Sequence, residues 1–192
     1  MTRTKLLMIG AALVVTIGAS ATYVGTSHHR SHSAHMHGAD GTCHDEVNMP
    51  GLRGKNASAA ESEEIAVLFR NFETITREVE NLPNGIRTVT RSSDQAVMDA
   101  LVNHSVSMID RVGQLDDPQI IIQSPTLDIF FKRGGGIISD VEMTDDGLVV
   151  VQTSDDPEVV TALQTHAAEV TAMADKGMQA VHEMMVAHGA SH

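Results

Sequence analysis

Imidazole, thioether and thiol side chains are the groups whose spacing in this chain could do chemistry, and they gather in three places. The first is a matched pair. Shifting the sequence by sixty-two positions, the step from His104 to His166, lays Ser154 to Val170 on Ser92 to Met108 without a gap. Ser92, Asp94, Val97, Ala100, Leu101 and His104 then coincide with Ser154, Asp156, Val159, Ala162, Leu163 and His166. Val97, Leu101, His104 and Met108 follow a helical period, and Val159, Leu163, His166 and Val170 repeat it. Each histidine is therefore expected on the inward stripe of a helix. Two neutral imidazoles facing a common axis suit a metal ion, or the two axial positions of a haem. The alternative is a pair of core histidines, each hydrogen-bonded to backbone or to a hydroxyl. Haem is the weaker ligand reading. With no Trp, one Tyr and four Phe, the chain is short of the rings that usually wall a porphyrin.

The second place is the end of the last helix, where Met178, His182, Met184, Met185 and His188 recur about one turn apart. A thioether and an imidazole so spaced can share a soft ion such as Cu(I). A methionine-rich packing face explains the same pattern. The third place is a polar, Gly-rich tract, Ser27 to Gly54, holding His28, His29, His32, His35, Met36, His37, Cys43, His44 and Met49. It shows no apolar periodicity and reads as a disordered tail that could wrap an ion. Cys, Met and His together favour copper over zinc or nickel. A solvated low-complexity linker is the other reading of the tract.

Other chemistry finds little support. Cys43-His44 has Asp40 where a c-type haem attachment motif needs a second cysteine. There is no Gly-x-Ser-x-Gly elbow, phosphate loop or His-Glu-x-x-His run, so the chain is read as a non-enzyme. A net charge of −12 argues against nucleic acid and against an anionic membrane surface. The lone Cys43 cannot form an internal disulfide; it is free, paired with another molecule, or a ligand.

The elements that must position these groups follow from pattern. Met1 to Ala21 reads as an export signal: Arg3 and Lys5, the apolar run Leu6 to Ile17, then Ala19-Ser20-Ala21. That implies the periplasm, or a membrane anchor if the segment stays uncleaved. Ser58 and Glu61 form a capping box before a helix to about Phe72. Thr74 to Leu82 and Ile86 to Thr90 alternate as a hairpin around Pro83-Asn84-Gly85, and Ser92 or Asp94 caps a helix to about Val112. The order then repeats. Ser124 and Pro125 open a short helix, Ile137 to Met143 and Leu148 to Thr153 form a hairpin around Asp145-Asp146-Gly147, and Asp156-Pro157 opens a final helix to about Ala187. A continuous helix of that length would overhang the sheet.

The expected fold is thus α+β: tandem α-β-β-α units forming a four-stranded antiparallel sheet with helices on one face. The expected boundaries are 1–21 for the signal, 22–57 for the tail and 58–188 for the domain. Within the domain, the repeats are 65–113 and 127–175, followed by a helical extension over 176–188.

A hairpin followed by Thr153-Ser154-Asp155-Asp156-Pro157 and a helix carrying His166 resembles a family of uncharacterised exported bacterial proteins with a duplicated strand-strand-helix module. The resemblance covers about Ile65 to Gly177 and implies export and duplication, with no chemistry attached. The favoured reading is a periplasmic copper-binding, storage or delivery protein, partnered by a copper donor or acceptor. The alternatives are a haem-binding or electron-transfer protein using His104 and His166, and a non-catalytic interaction or homodimerisation module.

Overall fold

Ser58 opens the first helix as its spacing predicts. Its hydroxyl accepts the Glu61 N–H, and the Glu61 carboxylate accepts the Ser58 N–H in return. The structure, a computed structural model, describes residues 49–189. The elements run α1 (Ala59–Arg70), β1 (Ile75–Leu82), β2 (Gly85–Ser92), α2 (Gln95–Gln114), α3 (Leu127–Arg133), β3 (Ile138–Thr144), β4 (Gly147–Thr153), α4 (Pro157–Lys176) and α5 (Met178–Gly189). The Met1 to Ala21 segment lies outside the described residues, as do His28, His29, His32, His35, Met36, His37, Cys43 and His44.

The strands form one antiparallel sheet in the order β1-β2-β4-β3, so the two hairpins join through β2 and β4. This is the α+β class and the sheet that the alternation implies. Thr88 sits opposite Val150 and Ile86 opposite Gln152 across that central seam. Period-two geometry turns Ile86, Thr88 and Thr90 to the helix side, where all three are buried. Gly147 closes the second hairpin at φ 119°, a left-handed value that glycine adopts at no steric cost.

The helices after each hairpin are built alike. Asp94 caps α2 by accepting the Ala96 N–H at 2.8 Å, and Asp156 caps α4 by accepting the Glu158 N–H at 2.9 Å. The Ser92 and Ser154 hydroxyls each accept the N–H of the cap residue that follows. Val97 and Leu101 on α2, and Val159 and Leu163 on α4, are buried as the periodicity predicts. Burial of each such side chain contributes about 1.5–3 kcal/mol. Leu163 and Val159 join Ile86, Phe130 and Ile137 in the main core cluster.

Three details differ from the sequence reading. The final helix is not continuous. Gly177, at φ 58° and ψ −139°, ends α4, and α5 starts anew at Met178. A Cβ at Gly177 would lie 2.8 Å from the Phe72 ring, so both conformation and contact require glycine there. Ala180 and Val181 are buried, so α5 docks on the body and does not project from it. The second difference is at α3, whose N-cap is Thr126 with no side-chain cap bond. Ser124, expected to cap it, gives its hydroxyl proton to Glu169 at 2.8 Å. Finally, ordered packing begins before Ser58. Leu52 is buried, and Gly54 bridges to Ile120. No helix among the described residues is long and apolar enough to cross a membrane.

Candidate functional site

The sheet and its helices leave between them a cavity of about 320 Å³. Small-molecule sites commonly span roughly 300–1,000 Å³. His104 on α2 and His166 on α4 both line it, so the fold brings the two sequence-predicted imidazoles to one place. Phe69, Phe72, Phe130 and Phe131 line it as well, and they are all four phenylalanines of the chain. The shortage of aromatic residues therefore does not weigh against a ring-shaped ligand, because the few present all line this one cavity. Phe130 meets His166 edge-on, with ring centroids 5.7 Å apart and planes at 80°. Met108 and Met173 add thioethers to the same lining.

His104 carries a buried Nδ1 with no hydrogen-bond partner among the described residues. A core histidine held by backbone or hydroxyl would have one. Burial lowers its pKa from 6.5 to about 4, helped by the charge of His166 and opposed by that of Glu61. His104 is therefore neutral at pH 7, the state in which an imidazole can ligate a metal.

His166 is placed differently. Its Nδ1 and the Glu169 Oε2 are both buried without a hydrogen-bond partner among the described residues, and they face each other at 3.5 Å across one helical turn. The other Glu169 oxygen, Oε1, accepts from the Ser124 hydroxyl at 2.8 Å and the Thr126 hydroxyl at 2.9 Å. Burial works to raise the Glu169 carboxyl pKa, but His166 and the two hydroxyls outweigh it and the pKa is lowered. A carboxylate behind Nδ1 favours the proton on that nitrogen and leaves the Nε2 lone pair for a ligand, as behind many metal-bound histidines.

A second carboxylate fixes the other side. Glu61 accepts from Arg111 Nε at 2.5 Å and from the Ser107 hydroxyl at 3.2 Å. The Arg111 hydrogen bond is the main reason its pKa falls from 4.5 to about 2; burial opposes it, and Ser58 adds to it. Arg111 also binds Asp116 Oδ2 at 2.6 Å and the Asn56 carbonyl at 2.8 Å. This network ties α1 to α2 beside His104.

Among the described residues, the predicted Met49, Met178, His182, Met184 and Met185 do not line the cavity. Met49 is buried with Leu52 and Ala66, and Met178 packs against that cluster. His182 and Met185 are exposed on α5, and Met184 is half-buried. His188 lies in the last turn of α5. Among the described residues no group of three or more His, Cys, Asp or Glu is placed to hold a metal. A second hollow of about 360 Å³, beside Met49, Arg53, Ser62 and Glu63, is lined by none of the histidines.

Glu169 and Arg77 escaped the sequence reading. Glu169 could have been found from its position three residues after His166. Arg77 lies on the inward side of β1 and lines the cavity, a place that alternation alone predicts for an apolar residue. Comparisons with protein-family models, curated proteins and solved structures returned no match.

Proposed function

We propose that this chain is an exported binding protein whose cavity takes haem, with His104 and His166 as the axial ligands. One observation carries the reading: both imidazoles and all four phenylalanines line the same cavity. The unpartnered His104 Nδ1 suits it, since buried polar atoms without partners are exceptional in folded chains. Bound haem would supply one-electron redox chemistry, and the chain would bind and carry it without turnover. His104 would ligate in its neutral state, and Glu169 would orient His166. Periplasmic residence follows from the reading of Met1 to Ala21 as a signal.

The duplication belongs to the same proposal. α2 and α4 start and end sixty-two positions apart, as do the two 3-10 turns Phe72–Thr74 and Gly134–Gly136. Such a repeat would place one axial ligand in each half. The test is a titration of the purified full chain with ferric haem, followed by absorbance. The expected result is a low-spin, two-imidazole spectrum that His104→Ala and His166→Ala each abolish. A spectrum unchanged by either substitution would overturn the reading.

A second reading is favoured by Met108 and Met173, which place two thioethers on the cavity that holds the two imidazoles. Those four side chains are a soft donor set for Cu(I). The Ser27 to Met49 tract would then capture the ion, for storage or for delivery to a copper-accepting protein. Met108→Leu with Met173→Leu separates the two readings, weakening Cu(I) binding while leaving the haem spectrum in place.

A further inference from the structure

We propose that Arg77 is an anion anchor inside the cavity, and that the ligand is therefore an apolar molecule carrying a carboxylate. The proposal rests on the cavity being a ligand site and deepens the haem reading, since haem bears two propionates.

The argument begins with charge. Arg77 is the only Lys, Arg, Asp or Glu among the residues lining the cavity. Its Nη1 donates to the Thr90 hydroxyl at 2.8 Å, a neutral partner. Its Nε is buried with no hydrogen-bond partner among the described residues. Several other arginines show what is missing: Arg111 pairs with Glu61 and Asp116, Arg91 with Glu78, and Arg133 with Asp156 and Glu158. No carboxylate stands within ion-pair reach of Arg77 among the described residues, in a chain of net charge −12.

Such a group is costly to keep. A largely buried cation without a counter-charge gives up much of its hydration, and the one neutral hydrogen bond to Thr90 replaces only part of it. Burial lowers the Arg77 pKa to about 10, which still leaves the guanidinium charged at pH 7. A ligand carboxylate would supply the missing partner. The planar fork of guanidinium donors matches a carboxylate in two parallel hydrogen bonds, with the unused Nε–H as one of them. Thr88 and Thr90 on the neighbouring strand β2 add polar atoms to the lining, and the phenylalanines supply apolar surface for the body of a ligand. The lining thus selects for an amphipathic acid.

The experiment compares ferric haem with its dimethyl ester, in which both carboxylates are masked, by absorbance titration of the full-length protein. Haem is expected to bind at least about tenfold more tightly than the ester, and Arg77→Gln to erase that preference. Arg77→Lys should restore part of it, a control for any loss of fold. Equal affinity of the wild-type protein for haem and ester overturns the anchor and leaves the haem reading standing. If neither binds, the haem reading fails. Dodecanoate and dodecanol, followed by calorimetry, then decide the anchor alone. Arg77-dependent preference for dodecanoate upholds it, and indifference between the two overturns it.

Discussion

His166 and Glu169 stand one turn apart on α4, with Nδ1 and Oε2 facing each other at 3.5 Å and no other hydrogen-bond partner for either atom among the described residues. That separation exceeds a formed N–H···O bond, roughly 2.7–3.2 Å. The pair is a carboxylate waiting behind an imidazole. A ligand that draws electron density from Nε2 would strengthen Nδ1–H as a donor and tighten the contact.

Glu169→Gln should therefore weaken ligand binding roughly 10- to 100-fold, the usual effect of losing such a partner. The hydroxyls of Ser124 and Thr126 would still have an amide oxygen to bind, so the thermal midpoint should change little. Parallel haem titrations and thermal melts check this. A collapse of the melt with unchanged affinity would make Glu169 a structural residue only.

His104 gives a pH dependence whose sign follows from its lowered pKa. Its folded value, about 4, lies below the ordinary 6.5, so its contribution to stability is fully present above 6.5. The contribution is lost as pH falls through about 4, because the unfolded chain takes up the proton first. His104→Leu should flatten the urea midpoint between pH 6.5 and 4. Ligand should leave the wild-type protein only as pH falls through about 4, where the folded imidazole itself takes up a proton and loses its lone pair.

Glu61 acts at lower pH in the same direction. Its folded pKa near 2, against an ordinary 4.5, stabilises the fold above about 4.5 and ceases to do so as pH falls through 2. Glu61→Gln keeps the capping geometry but leaves Arg111 without its nearest charge. Urea unfolding at pH 7 should show a loss of about 3 kcal/mol, typical of breaking a buried pair.

Gly177→Ala tests the junction of α4 and α5. The substitution forces a side chain into a left-handed conformation and against Phe72, which lines the cavity. It should cost at least about 1 kcal/mol in urea unfolding and also loosen haem binding. An unchanged midpoint would mean that the break does not depend on glycine.

Much of the fold was legible from local chemistry. The Ser58–Glu61 box, the Asp94 and Asp156 caps and the two hairpins are each fixed by residues a few positions apart, and each formed as read. The inward stripe placing His104 and His166 was legible too, because a helix converts spacing directly into direction. What the spacing hid depends on partners far along the chain. Nothing local says that Ser124 will serve Glu169 forty-five residues on, or that Arg77 will find no carboxylate. Gly177 was visible but ambiguous, since a glycine within a helical pattern can be tolerated or can end it; the Phe72 ring decides. The four phenylalanines were counted but not located, and their value lies in where they meet.

Gln164 on α4 donates to the carbonyls of Leu82 and Gly85 at the tip of the first hairpin, and the second of these contacts spans 79 residues. The cover of the first hairpin is thus synthesised long after the hairpin itself. During biosynthesis the nascent strands must wait, with Ile86 unshielded, until α4 has emerged and can settle on them. A chain released before α4 would present that bare surface to whatever chaperone or protease it met first.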